Sequence, residues 1–267
     1  MRKSLYVTVT AICAALYAVG SYATSCIESP WGIGQFRPAI VIPAFFAIVF
    51  GPWVGGIGAA LGTFIQSIFR YGHPWLTLVS GPPANFIAFF LLGYMLYKKF
   101  TWTRFIVSSI AVLIAANFAC AVGVLAYFLF TGVFPPNLPF MFYLGFTVGL
   151  TLWWYITMLP FTLLLTPVLI KAASLIIPHF IPTHIVEASL KSEVPSKMFS
   201  GVLVLSGIGM VLVGLATFLP GSETLVVAYK PAMREIVLSG IRLMFLLTGG
   251  GCTVTGAIFY ILKLFSR

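Results

Sequence analysis

The sequence predicts an all-α membrane protein that crosses the bilayer several times. Of its 267 residues, 60% are hydrophobic and 7% are charged, and the mean hydropathy is +1.08. Soluble domains carry about 25% charged residues, so this composition excludes a water-soluble globule. Long apolar runs recur along the chain without the alternation expected of a membrane β-strand, which favours helices over a barrel.

Eight apolar helices are expected in chain order, and both termini should then lie on one side of the membrane. Proline lacks an amide hydrogen and disfavours helix in the residue before it, so Gly51-Pro52 predicts a break between the second and third helices. Pro160 and Pro167 are expected to kink the sixth helix. The predicted helices cover about residues 5–24, 39–50, 53–69, 84–97, 104–130, 140–177, 199–219 and 236–265.

Small residues recur at helical spacing in two of these helices. The third helix carries Gly55, Gly58, Ala59 and Gly62, and such a row lets a neighbouring backbone approach closely in lipid. The first helix carries two overlapping AxxxA pairs, formed by Ala11, Ala14, Ala15 and Ala18. Both helices are therefore expected to have a smooth packing face.

The basic residues predict the orientation of the chain. An excess of Lys and Arg marks the cytoplasmic side of membrane proteins. With both termini cytoplasmic, ten basic residues lie inside and four outside, so the net charge of +10 is expected to serve orientation rather than nucleic-acid binding. The inside set is Arg2, Lys3, Lys98, Lys99, Arg104, Lys171, Lys191, Lys197, Lys263 and Arg267; the outside set is Arg37, Arg70, Lys230 and Arg234.

Aromatic, amide and arginine residues at the predicted outer face suggest a small-molecule site. Trp31 can stack on a flat ring, while Gln35 and either Arg37 or Arg70 hold its polar edges. The alternative for Trp31 is the aromatic belt found at the surface of any membrane protein.

Three residues inside predicted helices could belong to the same site. An unpaired amide in hydrocarbon costs free energy, so Asn85 and Asn117 either face a cavity or form an interhelical hydrogen bond. Trp153 either lines the cavity or faces lipid.

The sequence lacks the patterns of an enzyme, a cofactor site or a metal site. All five acidic residues are Glu, and no P-loop pattern occurs. The four cysteines, Cys26 among them, lie far apart without a C-x-x-C pair. His73 and Ser80 do not form the intramembrane serine motif of a rhomboid-like protease. No cofactor and no metal is therefore expected.

Residues 1–175 resemble the substrate-binding (S) component of energy-coupling factor (ECF) transporters, the vitamin-uptake family. The resemblance rests on a predicted bundle of six helices and on three segments: AICAALYAVG, RPAIVIPAFFAIVFGPWVGGIGAALG and SGPPANFIAFFLLGY. It implies capture of a vitamin or related micronutrient at the outer face, followed by toppling on a shared transmembrane T subunit. Two ATPase subunits would supply the energy, which would explain the missing P-loop.

The resemblance also implies roles for particular residues. The AxxxA face of the first helix, Ala11, Ala14, Ala15 and Ala18, would contact the T subunit. Residues 25–37, named here the first loop, would act as a lid over the ligand. Helices four to six would supply ligand contacts, which favours Asn85, Asn117 and Trp153 as binding residues.

The chain departs from the family pattern by two additional helices. We expect a six-helix bundle over residues 1–177, a cytoplasmic linker over residues 178–197 and a transmembrane hairpin over residues 198–267. His179 and His184 are expected to be solvated linker residues. The hairpin would pack on the flank of the bundle or serve a different partner.

Two other functions stay open at this stage. A stand-alone secondary carrier needs a coupling acid in the membrane, for which Glu28 is the candidate; a scaffold would bind no ligand. Whichever function holds, the protein is expected to lie in the plasma membrane. The substrate is undetermined, since thiamine-like, flavin, biotin and deazapurine compounds all suit such a site, although an arginine slightly favours an anionic group.

Overall fold

The computed structural model describes residues 3–25, 27–72, 74–188, 196–227 and 229–265, and the long regular elements within them are all α-helices. Five residues named above lie outside these ranges: Arg2, Cys26, His73, Lys191 and Arg267. The predicted all-helical class is confirmed.

All eight predicted helices are present, with boundaries close to those expected. Two short helices, α4 and α8, were not predicted, because four or five residues are too few to show a periodic pattern. The helices are α1 (Lys3–Ala23), α2 (Val41–Phe50), α3 (Pro52–Tyr71), α4 (Trp75–Val79), α5 (Gly81–Leu96), α6 (Trp102–Phe130), α7 (Phe140–Ile176), α8 (Thr183–Val186), α9 (Ser196–Ala216) and α10 (Pro231–Phe265).

Six of these helices are long and apolar enough to cross a membrane: α1, α3, α6, α7, α9 and α10. Two further apolar segments are shorter, namely α5 and the stretch Pro38–Phe50, which joins a 3-10 turn to α2. A span needs about 20 residues if it is to cross alone. The structure therefore supports a polytopic helical protein with six helices of membrane length.

The first three helices pack through the small residues that the sequence singled out. Gly58 of α3 lies against the side chain of Cys13 in α1, and Gly55 lies against the backbone of Ala47 in α2. A side chain at either glycine would overlap its neighbour, so the close approach depends on glycine. Gly51 has φ +106°, a conformation that side chains disfavour, and it separates α2 from α3 where the sequence predicted a break.

The described beginning of the linker, residues 178–188, contacts the bundle rather than extending into solvent. Ile185 of α8 is 1% exposed, and the Trp102 indole N–H donates a 3.1 Å hydrogen bond to the carbonyl of Ala188. The ring Nε2 of His184 lies 2.9 Å from the carbonyl oxygen of Tyr97. The expectation of a solvated His184 was therefore wrong, because apolar linker residues draw this segment onto the bundle, whereas His179 is exposed as expected.

Helices α9 and α10 form a hairpin that is closely packed along its length. Gly207 lies against Gly249 and Thr253, and Gly256 lies against the backbone of Ser200. The connection between the two helices contains a 3-10 turn, Ser222–Val226, which packs on α7 with Leu225 against Gly145. The hairpin thus meets the bundle at the same end as the first loop.

Candidate functional site

The first loop is a small closed structure of its own. The Ser29 amide donates to the carbonyl of Gly34 at 2.7 Å, and the Phe36 amide donates to that of Ile27 at 2.8 Å. Glu28 and Gln35 form an antiparallel β-bridge between these bonds. Gly34 has φ +87° in the returning strand. The loop therefore returns on itself and presents both of its edges to the helices.

One edge of the loop is attached to a polar face of α3. Gln66 donates a 3.1 Å hydrogen bond to the side-chain oxygen of Gln35, and Gln35 donates a 2.7 Å hydrogen bond to the hydroxyl of Tyr71. Gln35 and Gln66 are each 1% exposed. At the surface, Arg70 forms an ion pair with Glu28.

The other edge of the loop lies on α7. The Trp31 indole, which is buried, lies directly against Gly149, and Gly34 lies against Trp154. Deeper in the bundle, the rings of Phe36 and Phe161 make an edge-to-face contact with 5.4 Å between centroids. Glycine at position 149 leaves the space that the Trp31 indole occupies.

Arg37 is the last residue of the first loop, and its side chain is half-buried. Its guanidinium lies within electrostatic range of Tyr71 on α3 and of Cys120 on α6. The Nε atom of Arg37 is buried and has no hydrogen-bond partner among the described residues. The two candidate arginines thus differ, because Arg70 pairs with Glu28 at the surface while Arg37 has a buried Nε atom.

The two membrane asparagines also differ. The Asn85 amide donates a 2.7 Å hydrogen bond to the hydroxyl of Thr63, so its N–H group is used within the protein. Asn117 is equally buried, but its amide nitrogen has no partner in the described part of the chain. The interhelical hydrogen bond considered as an alternative is therefore present for Asn85.

Helix register places Asn117 near Trp153 in depth. The rings of Phe128 in α6 and Phe146 in α7 lie 6.1 Å apart, and a short loop makes the two helices antiparallel. Asn117 lies about 16 Å along α6 from this contact, at about 1.5 Å per residue. The same distance along α7 reaches Thr157, one helical turn from Trp153.

Helix α5 reaches the same depth. Gly123 of α6 lies against Ser80, the residue before α5. The two helices are antiparallel, so equal distances along both of them from this contact reach the same depth. By this count, Asn85 and Asn117 lie at about the same depth. The two asparagines and Trp153 therefore occupy one layer of the bundle, at similar depth along the helices.

The buried polar atoms of this region that lack partners are mostly N–H donors. An unpaired buried polar group costs free energy unless something else satisfies it. Among the described residues, the unpaired atoms nearest the first loop and α7 include the indole nitrogens of Trp31, Trp153 and Trp154, the amide of Asn117, Nε of Arg37 and the acceptor Oε1 of Gln66. Elsewhere in that part of the chain, the hydroxyls of Tyr17, Ser21, Ser109, Thr166 and Ser200 and Nε of Arg242 are also buried without a partner. The layer can therefore donate hydrogen bonds to a molecule that carries acceptors.

Sequence reasoning did not select Gln66 or Trp154. Gln66 belongs to a polar stripe of α3 with helical spacing, formed with Thr63, Ser67 and Arg70, and that stripe is readable in the sequence. Trp154 is adjacent to the predicted Trp153, and adjacent residues of a helix point about 100° apart, so the sequence does not show which of them faces the bundle. The structure buries both of them.

The four alanines of α1 do not share one environment. Ala14 and Ala18 are 4% and 6% exposed and lie inside the bundle. Ala11 and Ala15 are exposed along the border of this buried face, one turn apart. The overlapping AxxxA pairs thus provide an internal face toward α3 and an external face that is open to a neighbour.

The described residues form a polytopic helical membrane protein with buried donors that lack partners in the structure. The chain belongs to the ECF transporter substrate-specific component family, whose family model matches residues 5–192. Membership makes it a membrane subunit that works with a substrate and an ECF module, and the resemblance drawn from the sequence is confirmed. No curated protein and no solved structure is significantly similar to the chain.

Proposed function

We propose that this subunit captures an acceptor-rich vitamin or related micronutrient, with a preference for an anionic group, in the layer beneath the first loop. The observation that carries the proposal is the set of buried, unpaired donors around Asn117 and Trp153, together with the buried Nε atom of Arg37. Carboxylate and carbonyl oxygens accept hydrogen bonds from amide, indole and guanidinium groups. The aromatic side chains of the same layer suit a flat ring.

The proposed site residues are divided by their contacts. Trp31, Arg37, Asn117 and Trp153 are proposed to touch the substrate, since each has a donor unused by the described protein groups. Gln35 and Arg70 are proposed to act through the first loop, because their side chains are already paired with α3 and with Glu28. Asn85 is proposed to border the site, with its remaining oxygen lone pairs available.

We further propose eight membrane crossings with both termini cytoplasmic. The ten-to-four distribution of basic residues supports this orientation, and it places the first loop outside. The two shorter apolar segments, Pro38–Phe50 and α5, would then cross within a bundle whose longer helices cover them. In this arrangement the site opens to the outer face of the plasma membrane.

The proposed domain division follows the same lines. Residues 1–177 would form the substrate-binding bundle, residues 178–197 the cytoplasmic linker and residues 198–267 an additional transmembrane hairpin. The family match ends at residue 192, before the hairpin begins, which supports this boundary.

Uptake is proposed to require a T subunit and two ATPase subunits, as the family implies. The exposed alanines Ala11 and Ala15 are proposed as the contact with the T subunit, since small exposed side chains let another membrane helix approach closely. Ala14 and Ala18 would support this contact from inside by seating α1 on α3.

The test is native mass spectrometry of the detergent-purified chain, followed by solvent extraction and identification of small molecules. We expect one bound compound per chain, below about one kilodalton, with at least one carboxylate, phosphate or carbonyl group. Nanomolar binding, worth about −12 kcal/mol, would survive purification. An empty protein whose melting temperature is unchanged across a panel of vitamins would contradict the proposal.

A further inference from the structure

The additional hairpin touches the first loop at its tip. The hydroxyl of Tyr229, in the connection between α9 and α10, donates a 2.7 Å hydrogen bond to the backbone carbonyl of Trp31. The two residues are 198 positions apart in the chain. Next to this bond, Gly240 of α10 faces Pro30, at a distance that a Cβ atom at position 240 would bridge by ordinary van der Waals contact. The tip of the loop is therefore placed between α7 and the hairpin.

Tyr229 is held in position by its own surroundings. The guanidinium of Arg234 donates to the carbonyl of Tyr229 at 2.9 Å and to that of Val227 at 2.7 Å. Val226 is 1% exposed, and Leu225 lies against Gly145 of α7. The backbone that carries the phenol is thus fixed to the bundle. Burial raises the pKa of Tyr229, so the phenol stays protonated and remains a donor at physiological pH.

Besides its packing on α7, the loop has two hydrogen-bonded attachments of different extent. Toward α3 it is held by the Glu28–Arg70 ion pair and by the buried side chain of Gln35. Toward the hairpin it is held by one hydrogen bond to Tyr229. A cavity of about 510 Å³ between α7 and the hairpin is lined in part by Trp31, Gly149 and Phe245, which leaves space beside the indole.

We propose that Tyr229, positioned by Arg234, restrains the tip of the first loop in the closed position, so that the additional hairpin controls how readily the loop opens. Tyr229 is a positioning residue that acts through the loop and does not itself touch the substrate. This proposal rests on the proposed function, in which the first loop covers the bound substrate. It assigns a role to the two helices that lie beyond the family match.

The test is hydrogen–deuterium exchange of the full-length chain in lipid nanodiscs, without added ligand, for the peptides that cover residues 27–36. Tyr229→Phe keeps the aromatic ring and removes only the hydroxyl group. We expect exchange of these amides to become about five-fold faster, which is the factor that a typical net hydrogen bond is worth. Arg234→Gln, which removes the guanidinium that positions Tyr229, should change the same peptides in the same direction.

Tyr260→Phe is the matched control, since Tyr260 lies on α10 with 43% of its surface exposed. It should leave the exchange of the first loop unchanged. Unchanged exchange of residues 27–36 in Tyr229→Phe would overturn the proposal, and so would an equal acceleration throughout the chain, which indicates general loosening. Because the measurement needs no ligand, its failure leaves the substrate-binding proposal intact. An empty protein whose melting temperature is unchanged across the vitamin panel contradicts the substrate-binding proposal instead.

Discussion

Gln66 of α3 donates a hydrogen bond of 3.1 Å to the side-chain oxygen of Gln35 in the first loop, and neither residue is more than 1% exposed. A buried amide that loses its hydrogen-bond partner costs free energy. The bond between the two glutamines therefore favours one position of the first loop relative to α3. The first loop is consequently attached to the bundle by side chains inside the protein as well as by the surface ion pair of Glu28 and Arg70. Arg37 lies two residues further on, so this attachment also restricts the backbone that carries its buried, unpaired Nε atom.

The two asparagines give opposite expectations for stability. Asn117→Leu should reduce the amount of co-purified compound per chain by at least tenfold, which corresponds to about 1.4 kcal/mol of binding free energy. Its melting temperature without ligand should stay the same or rise, because an unpaired buried amide is replaced by an apolar group. Quantitative mass spectrometry and a thermal melt of the extracted protein measure the two effects.

Asn85→Leu is the matched control for this experiment. It removes the hydrogen bond to Thr63 and should lower stability by about 1 kcal/mol. If Asn117→Leu lowered stability and retained the compound, Asn117 would have a structural role only.

Replacement of Glu28 separates ATP-driven uptake from proton-coupled transport. Glu28 pairs with Arg70, and the two side chains are 35% and 31% exposed, so the ion pair is worth at most about 1 kcal/mol. Glu28→Gln should therefore retain most of the uptake of the extracted compound by cells that express the whole complex. A loss of more than tenfold, together with loss of sensitivity to a protonophore, would favour a secondary carrier instead.

The exposed alanines of α1 test the proposed contact with the T subunit. Ala15→Trp should abolish uptake and leave the amount of bound compound per chain unchanged, because the new side chain lies on the outside of the bundle. Ala14→Trp is the contrasting variant, since Ala14 is 4% exposed and an indole there should prevent correct folding. Normal uptake by Ala15→Trp would show that this face of α1 does not contact the T subunit.

Glycine positions in α3 and α9 test the packing of the fold. A Cβ atom at Gly58 would overlap the side chain of Cys13, whereas a Cβ at Gly209 meets no neighbouring atom within 4 Å. Gly58→Val should lower the free energy of unfolding by about 1–3 kcal/mol, the usual cost of overpacking. Gly209→Val should have little effect in the same thermal melts. Equal melting temperatures for the two variants would contradict the α1–α3 interface.

Local sequence features predicted a large part of the fold correctly. The break at Gly51-Pro52 was predictable because proline restricts its own backbone and that of the residue before it, and glycine accepts the positive φ found there. The short helix α4 was not predictable, since its five residues show no period. The linker was expected to be solvated, but Ile185 and Ile181 are buried, which depends on the surface offered by α5 and α6.

The candidate site was only partly predictable. Gln35 could be selected as a polar residue in a glycine-rich loop, but its partners Gln66 and Tyr71 lie 31 and 36 residues away. The spacing of small residues around Ala14 and Ala15 predicted that this helix packs closely on a neighbour. Only the packed structure shows that Ala14 lies inside the bundle and Ala15 outside it. The sequence around Asn85 and Asn117 does not show which of the two amides is hydrogen-bonded. In the folded protein, the hydroxyl of Thr63 accepts a hydrogen bond from Asn85.

Hydropathy, charge distribution and backbone restriction are properties of single residues and short windows, so the sequence by itself determined the membrane class, the eight helices and their main break. The segments AICAALYAVG, RPAIVIPAFFAIVFGPWVGGIGAALG and SGPPANFIAFFLLGY, with the six-helix pattern, also sufficed for the family. Only the tertiary structure decided which polar groups are paired and that Tyr229 bonds to the carbonyl of Trp31, 198 residues away. Such a contact is formed by the packing of helices from both ends of the chain, and no local pattern encodes it.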